Sequence, residues 1–413
     1  MKSCLPSRLT RPWLPVLAAV GFATVPAAAS ADSGDPINFV VGTQFLFDDN
    51  LFRLSRNLDP QTVVGKPTRS DQVRIGYMGF AIDKSYSQQR LKLDVTARDY
   101  QYHNFSQLNF NSLDYKGAWL WHLTQRLSGE IGIDRRVDQS NFADVLNRAG
   151  VNTITTQNRR LTGDWWFHGN WHAVATAADT EVRNSQINRE QDSYREQSAS
   201  LGLRYVANSG SSATLTGRQA DGSYDKRPLN VGSQLDTGFT QQDLELRVSW
   251  ALSGKSNLGG RVTRLQRRHD NFAARDFNGT AGQLDFTYTP TGKLQLAVSA
   301  TRNIASYQSG PVSYYIDDSL TFAPIWQIDS KASLQLSLQK AQRKFLGDAP
   351  APVSPLVPAG RSDQTESAQL RLLWAPIRAV NLSFTMQHSR RDSSTANVDF
   401  RDNSAGLSAE FSF

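Results

Sequence analysis

Apolar and polar residues alternate along most of this chain in runs of about 8 to 12 residues, the period of a β-strand whose two faces meet different surroundings. Leu244, Leu246, Val248 and Trp250 share one face, and Asp243, Glu245, Arg247 and Ser249 share the other. Leu370, Leu372 and Trp374 oppose Gln369, Arg371 and Leu373; Leu382, Phe384 and Met386 oppose Ser383, Thr385 and Gln387. Helical spacing fits none of these segments.

The connections alternate as well. Short ones are predicted near residues 83–89, 124–126, 168–170, 207–211, 253–256, 289–293, 327–330 and 375–378. Longer ones are predicted at 48–69, 103–109, 138–156, 184–192, 221–238, 267–276, 306–314, 346–363 and 389–401. Eight short turns and nine long loops imply eighteen strands, with two either way allowed. Short turns on one side and long loops on the other are the plan of a transmembrane up-and-down β-barrel, with the short turns periplasmic. A parallel β-helix would repeat at a shorter period without that alternation, and a sandwich needs far fewer strands. The expected fold is therefore all-β: a single antiparallel barrel over residues 32–413, preceded by a cleaved segment over 1–31. Eighteen strands enclose a wet lumen.

The ends fit that plan. Lys2, Arg8 and Arg11, with no acid among the first 31 residues, precede an uncharged stretch from Trp13 to Ala23 and then Ala29-Ser30-Ala31, the parts of a secretory signal. The only cysteine, Cys4, lies in that segment, so thiolate sites and disulfides are excluded from the mature chain. The last seven residues, Leu407-Ser408-Ala409-Glu410-Phe411-Ser412-Phe413, alternate up to a terminal aromatic. Phe413 resembles the signal that barrel-assembly machinery reads. Trp119, Trp121, Trp165, Trp171, Trp250, Trp326 and Trp374 fall near short turns, where a girdle at headgroup level is expected.

The 45 basic and 38 acidic residues give a formal charge of +7, and removing Lys2, Arg8 and Arg11 lowers it to +4. The excess is dispersed, so no nucleic-acid patch is indicated. If the Leu/Val/Trp parity faces lipid, the opposite parity lines the pore. That set comprises Arg74, Lys92, Asp94, Arg98, Glu130, Asp134, Arg136, Arg160, Asp164, Arg204, Arg218, Asp243, Glu245, Arg247, Arg261, Asp285 and Arg371. Charges belong in a wet interior rather than in hydrocarbon. They can form a weakly anion-attracting track, or pair across strands and brace the wall.

Catalytic and metal chemistry have thin support. Of the six histidines, His103, His269 and His388 are placed near long loops, but no spacing assembles a triad. His168 and His172 are four apart across a Gly169-Asn170 turn and lack further ligands. Asp48-Asp49-Asn50 could offer oxygens to a cation, without the spacing of a calcium loop. No catalytic site, metal or cofactor is expected. The proline-dense stretch Asp348–Pro358 reads as an extended outer loop.

The segment from Asp35 to Leu54, with its Asp-Pro opening, one strand and Asp48-Asp49-Asn50-Leu51-Phe52-Arg53-Leu54, resembles the start of the exosortase-associated exopolysaccharide outer-membrane β-barrel proteins. Phe47 stands where Tyr is more usual in that family. The resemblance implies a passive conduit for an exopolysaccharide chain, working with periplasmic export components and embedded in outer-membrane lipid. A small-solute diffusion porin and a rim enzyme acting on polysaccharide or lipid are the alternatives.

Overall fold

The computed structural model describes residues 36–140, 142–144, 151–352 and 357–413. The expected signal segment Met1–Ala31 lies outside them, as do Asp35 and residues 353–356 of the proline-dense stretch.

Eighteen antiparallel strands form one closed wall: β1 Ile37–Asp48, β2 Asp71–Tyr86, β3 Gln89–Tyr102, β4 Phe110–His122, β5 Leu127–Gln139, β6 Thr153–His168, β7 Trp171–Asn184, β8 Tyr194–Val206, β9 Ser212–Ser223, β10 Gly238–Ser253, β11 Ser256–His269 and β12 Phe277–Thr291 come first. They are followed by β13 Leu294–Ser309, β14 Val312–Phe322 continued as Ile325–Gln327, β15 Ala332–Leu346, β16 Ser362–Ile377, β17 Val380–Ser393 and β18 Phe400–Ser412. β14 is broken at Ala323-Pro324 because proline has no N–H for the ladder. Each strand pairs with the next in sequence, and β1 pairs with β18 from Val40↔Ser412 to Asp48↔Ser404. No edge is left, which is what hydrocarbon demands of a sheet that crosses it.

Register fixes the faces. Phe39, Val41, Phe45 and Phe47 of β1 stand opposite Phe80, Met78, Arg74 and Gln72 of β2 and point outward. The same parity runs around the wall through Leu201, Leu215, Leu244, Val262, Leu284, Leu320, Leu372 and Leu407. Trp119, Trp165, Trp171, Trp250, Trp326 and Trp374 lie beside the short turns at 40 to 54% exposure, too open for packed side chains and right for a headgroup girdle. Phe413 exchanges two backbone hydrogen bonds with Phe39 (2.8 and 3.0 Å) and stacks on its ring at 5.8 Å.

Two expectations are corrected. The connection expected to be long at 306–314 is a tight hairpin: Ser309 pairs with Val312 around Gly310 (φ 54°) and Pro311. Its polar residues Ser306, Gln308, Ser309 and Ser313 sit in extended strands, and only Gly310-Pro311 make the turn. Arg74 was expected in the lumen and points outward, opposite Phe45. The apolar parity of upper β2 is turned inside because it has an apolar partner there. The first long loop folds into the barrel mouth, so that Phe52 and Leu54 become fully buried against Val73, Ile75, Tyr102, Phe105 and Leu108. Phe52 meets the Phe105 ring edge-on at 4.6 Å.

The same loop locks the barrel seam. Asn50 Nδ2 donates to the carbonyls of Leu54 and Arg401, both at 2.9 Å, while its Oδ1 accepts from Leu54 N–H. Arg53, in the left-handed region (φ 55°), reaches Asp48 of β1 at 2.8 Å and Asp402 of β18 at 3.3 Å. Asp49 accepts twice from Asn403, at 2.7 Å each. All three residues of the Asp48-Asp49-Asn50 run are thus engaged by protein, and no metal cluster exists among the described residues. Arg53→Ala strands two nearly buried carboxylates and is expected to cost roughly 3 kcal/mol, measurable as a lowered urea midpoint for unfolding from lipid vesicles.

Candidate functional site

The lumen is charged at membrane depth and narrowed at the long-loop end. Sixteen of the seventeen charged residues placed in the pore lie on the inward parity: Lys92, Asp94, Arg98, Glu130, Asp134, Arg136, Arg160, Asp164, Arg204, Arg218, Asp243, Glu245, Arg247, Arg261, Asp285 and Arg371, with Arg74 the exception. Alternation places each of them between two outward-facing neighbours.

Most are tied to a partner. Arg218 bridges Asp243 (2.8 Å) and Glu196. Arg204 holds Asp164 at 2.6 Å, and His172 Nδ1 meets the other oxygen of that carboxylate at 2.7 Å. Arg98 pairs with Asp114, Arg160 with Glu130, and Arg247 with Glu245 at 2.8 Å. Asp285 accepts from Ser299 Oγ at 2.6 Å and from Gln283 Nε2 at 2.8 Å. Sequence reading missed Glu196, Asp114 and Asp317, the last held by Arg343 at 2.6 Å. Their parity marked them, but their partners come from neighbouring strands and are invisible without register.

Arg261 and Arg371 have no carboxylate partner among the described residues. Their bonds, both 3.4 Å, go to Gln283 Oε1 and Thr385 Oγ1. Register adds a second asymmetry: Arg204 stands opposite Thr214, Thr214 opposite Arg247, and Arg247 opposite Arg261. Three guanidiniums therefore share one line across β8 to β11, with a single carboxylate attached at each of the first two.

Above this band the β13–β14 hairpin leaves the wall. β12 pairs with β11 as far as Phe277, but its pairing with β13 stops at Gly282↔Arg302. Beyond that point β13 and β14 stay paired to each other and lean into the barrel, so their nominally outer face packs on the inner face of β11 and β12. Tyr314 stacks on Phe277 at 4.8 Å, and Ile304 fills the space over Gly279, where a Cβ would lie 2.4 Å from its Cδ1. The hairpin's other face packs Tyr315 against Phe345, in a buried cluster that also takes in Val312 at the tip and Val357.

Three buried polar groups pin the tip. Arg275, fully buried, donates to four carbonyls: Gln234 (3.0 Å), Ser233 (2.7 Å), Gly310 (2.8 Å) and Val312 (2.5 Å). Arg227 donates to Gln308 Oε1 at 2.7 Å and to Asp236 O at 3.0 Å. The Asp236 carboxylate accepts from the N–H groups of Asn271 and Phe272, both at 2.8 Å, and from Asn271 Nδ2 at 2.9 Å. Burial alone would raise the Asp236 pKa, but these donors outweigh it and hold the group below the usual carboxylate value.

The three histidines weighed for rim chemistry do not meet. His388 points outward beside Asn403 (2.8 Å), His269 is buried 3.5 Å from Asp276, and His103 follows β3. His168 pairs with Trp171 across its turn while His172 turns inward to Asp164, so the pair does not chelate.

A closed eighteen-stranded wall, apolar outside and charged within, is the architecture of an outer-membrane β-barrel. No protein-family model and no curated protein matches this chain. Among solved structures it is similar to OpdK of Pseudomonas aeruginosa, crystallised with vanillate (TM-score 0.52, 12% identity, covering 91% of this chain and 99% of that one). It is also similar to a BenF-like porin from Pseudomonas fluorescens Pf-5 (TM-score 0.51, 11% identity, 92% and 98% covered). OccK3 (OpdO) of Pseudomonas aeruginosa aligns at TM-score 0.50 with 12% identity, over 91% of this chain and 95% of that one. At such identities the likeness is one of fold.

Acid should loosen the pinned tip. A carboxylate with a depressed pKa stabilises the folded loops above its unfolded value of about 3.9 and ceases to as pH falls through the folded value. Single-channel records are expected to be quiet at pH 7 and to show frequent large openings below about pH 4, with Asp236→Ala giving those openings already at pH 7.

Proposed function

We propose that this protein is a passive outer-membrane channel for small hydrophilic solutes, with a preference for anions. The observation that carries the reading is the in-folded β13–β14 hairpin, which narrows the mouth above a wide charged lumen. A permanently tethered obstruction suits molecules that slip past it singly. The sign of the preference follows from the line of Arg204, Arg247 and Arg261 and from Arg371, cations only partly offset by acids. Guanidinium groups bind carboxylates and phosphates through paired hydrogen bonds, and weak multiple contacts allow passage where one strong contact would trap. That OpdK was crystallised with vanillate, a small carboxylate, makes such solutes the first to try here.

A conduit for exopolysaccharide is the second reading, favoured by the resemblance of the first strand and its Asp48–Leu54 segment to the exosortase-associated barrels. That segment acts in this fold as a seam and an inner cap, a structural role compatible with either cargo. In the polymer reading the hairpin would have to swing toward the wall, and periplasmic export components would drive the chain.

Planar-bilayer recording separates the two. The wild type is expected to conduct steadily, to prefer chloride over potassium in a salt gradient, and to be blocked briefly by millimolar small carboxylates. Arg247→Gln/Arg261→Gln should reduce the reversal potential toward zero. Removal of residues 308–311 should raise unit conductance. Long blockades by purified exopolysaccharide, with indifference to small carboxylates, would overturn the small-solute reading in favour of the polymer.

A further inference from the structure

The outer face of the wall has a feature that conduction does not use. On β8 to β13 the outward apolar residues end along a common line, and two shallow grooves run beneath it. One is floored by Ala199 and Gly217 between Leu201 and Leu244. The other is floored by Gly260, Gly282 and Ala300 between Leu246 and Leu284. Small residues on neighbouring strands leave these channels because their larger neighbours project to either side. Gly217 has no heavy atom within 4 Å of where its Cβ would be, so the first groove is open space rather than a packed contact.

The first groove ends on polar side chains of β9 to β12: Gln219, Gln242, Arg264, Gln266 and Asn278. Arg264 is exposed and outward, with Nη2 donating to Asn278 Oδ1 at 2.7 Å. Arg268, also exposed, follows on the same face. Neither has a carboxylate in ion-pair range among the described residues. Several other outward cations do, among them Arg159 and Arg195, which share Asp179, Arg302, which binds Asp318 at 2.7 Å, and Lys340, which meets Glu366 at 3.3 Å. Two acids share this rim: Asp221 stands in one cross-strand row with Thr240 and Arg268 and accepts from Thr240 Oγ1 at 3.1 Å, and Asp270 follows Arg268 by two residues. Arg264 shares a cross-strand row with Leu201, Gly217 and Leu244, and Arg268 follows four residues on, so the β11 rim sets two guanidiniums without an ion pair beside the first groove.

We propose that this sector binds a phosphorylated, multiply acylated glycolipid of the outer leaflet, of lipid A type. Two grooves accept chains by dispersion contact. Arg264 and Arg268 grip a phosphate with paired charge-assisted bonds, and the amides of Gln242, Gln266 and Asn278 serve sugar hydroxyls and acyl carbonyls. The long-loop end faces outward from the cell in barrels of this plan, which puts Arg264 at the depth of that leaflet's headgroups. A second copy of the chain is the other occupant such a face could take, but two unpaired guanidiniums would meet their like in a symmetric contact.

The test uses the purified full-length protein in detergent, titrated with bisphosphorylated lipid A and with its dephosphorylated form, and read by native mass spectrometry. The wild type is expected to bind the phosphorylated form at least about tenfold more tightly, the scale of charge-assisted hydrogen bonds. Arg264→Gln/Arg268→Gln should abolish that difference while the barrel still resists SDS at room temperature. Gly217→Leu should weaken both forms by filling the groove, and Arg74→Gln, an outward arginine with no groove beneath it, should change neither. The proposal fails if the double variant binds as the wild type does, if Arg74→Gln costs as much, or if sedimentation shows copies associating through this face.

Discussion

Everything in this molecule depends on satisfying the backbone. In hydrocarbon each unpaired N–H or C=O costs several kcal/mol, and a sheet escapes that cost only by meeting itself. The ladder from Val40↔Ser412 to Asp48↔Ser404 does this. Side chains are then free to differ on the two faces, because neither face is needed to hold the wall together. One face takes up lipid, and the other can carry charge without a packed core of ordinary kind. Of the places where the ladder lapses, Ala323-Pro324 and the divergence of β13 from β12 above Gly282↔Arg302 are different in kind. The first is bridged, since Leu336 N–H reaches Pro324 O at 3.1 Å. The second is where the wall gives up strands to the interior.

The wall was legible in the sequence because it obeys one rule repeated many times. Strand number, all eight short turns and the outward parity follow from period-two alternation and turn chemistry. What period cannot report is which face an apolar run is for. Val73 and Ile75 alternate as a lipid-facing pair would, yet they serve an apolar cap inside the mouth, and Arg74 goes outward as a result. Tyr307, Tyr315 and Ile316 look like the flank of a loop, but are strand residues of a hairpin folded over the lumen. Both misreadings arise where the barrel rises above the membrane. There, water and other protein replace lipid as the outside environment, and a hydrophobic residue no longer says where it points.

The charged lumen divides along the same line of what is local and what is not. That these residues face inward is a local property of parity. That Arg218 is shared by Glu196 and Asp243, or that Arg204 and His172 converge on Asp164, is a property of register between strands far apart in sequence. Such pairs stiffen the inner surface and cancel most of its field. The functional remainder is what pairing leaves over, and for Arg261 and Arg371 that remainder is a guanidinium held only by neutral oxygens. The tip tethers show the complementary logic. Arg275 is satisfied wholly by carbonyls, so its charge is spent on holding loops and adds little to the field below.

The seam has a kinetic meaning. Its two strands are the first and the last, so the contacts among Asp48, Asn50, Arg53, Arg401 and Asp402, like the β1–β18 ladder beside them, span most of the chain. Pairing of such high contact order comes late, after local hairpins have formed. A buried latch made only at that moment contributes nothing to the earlier steps and acts on the reverse reaction instead. It slows reopening of the finished ring, which gives the barrel its lifetime rather than its speed of assembly.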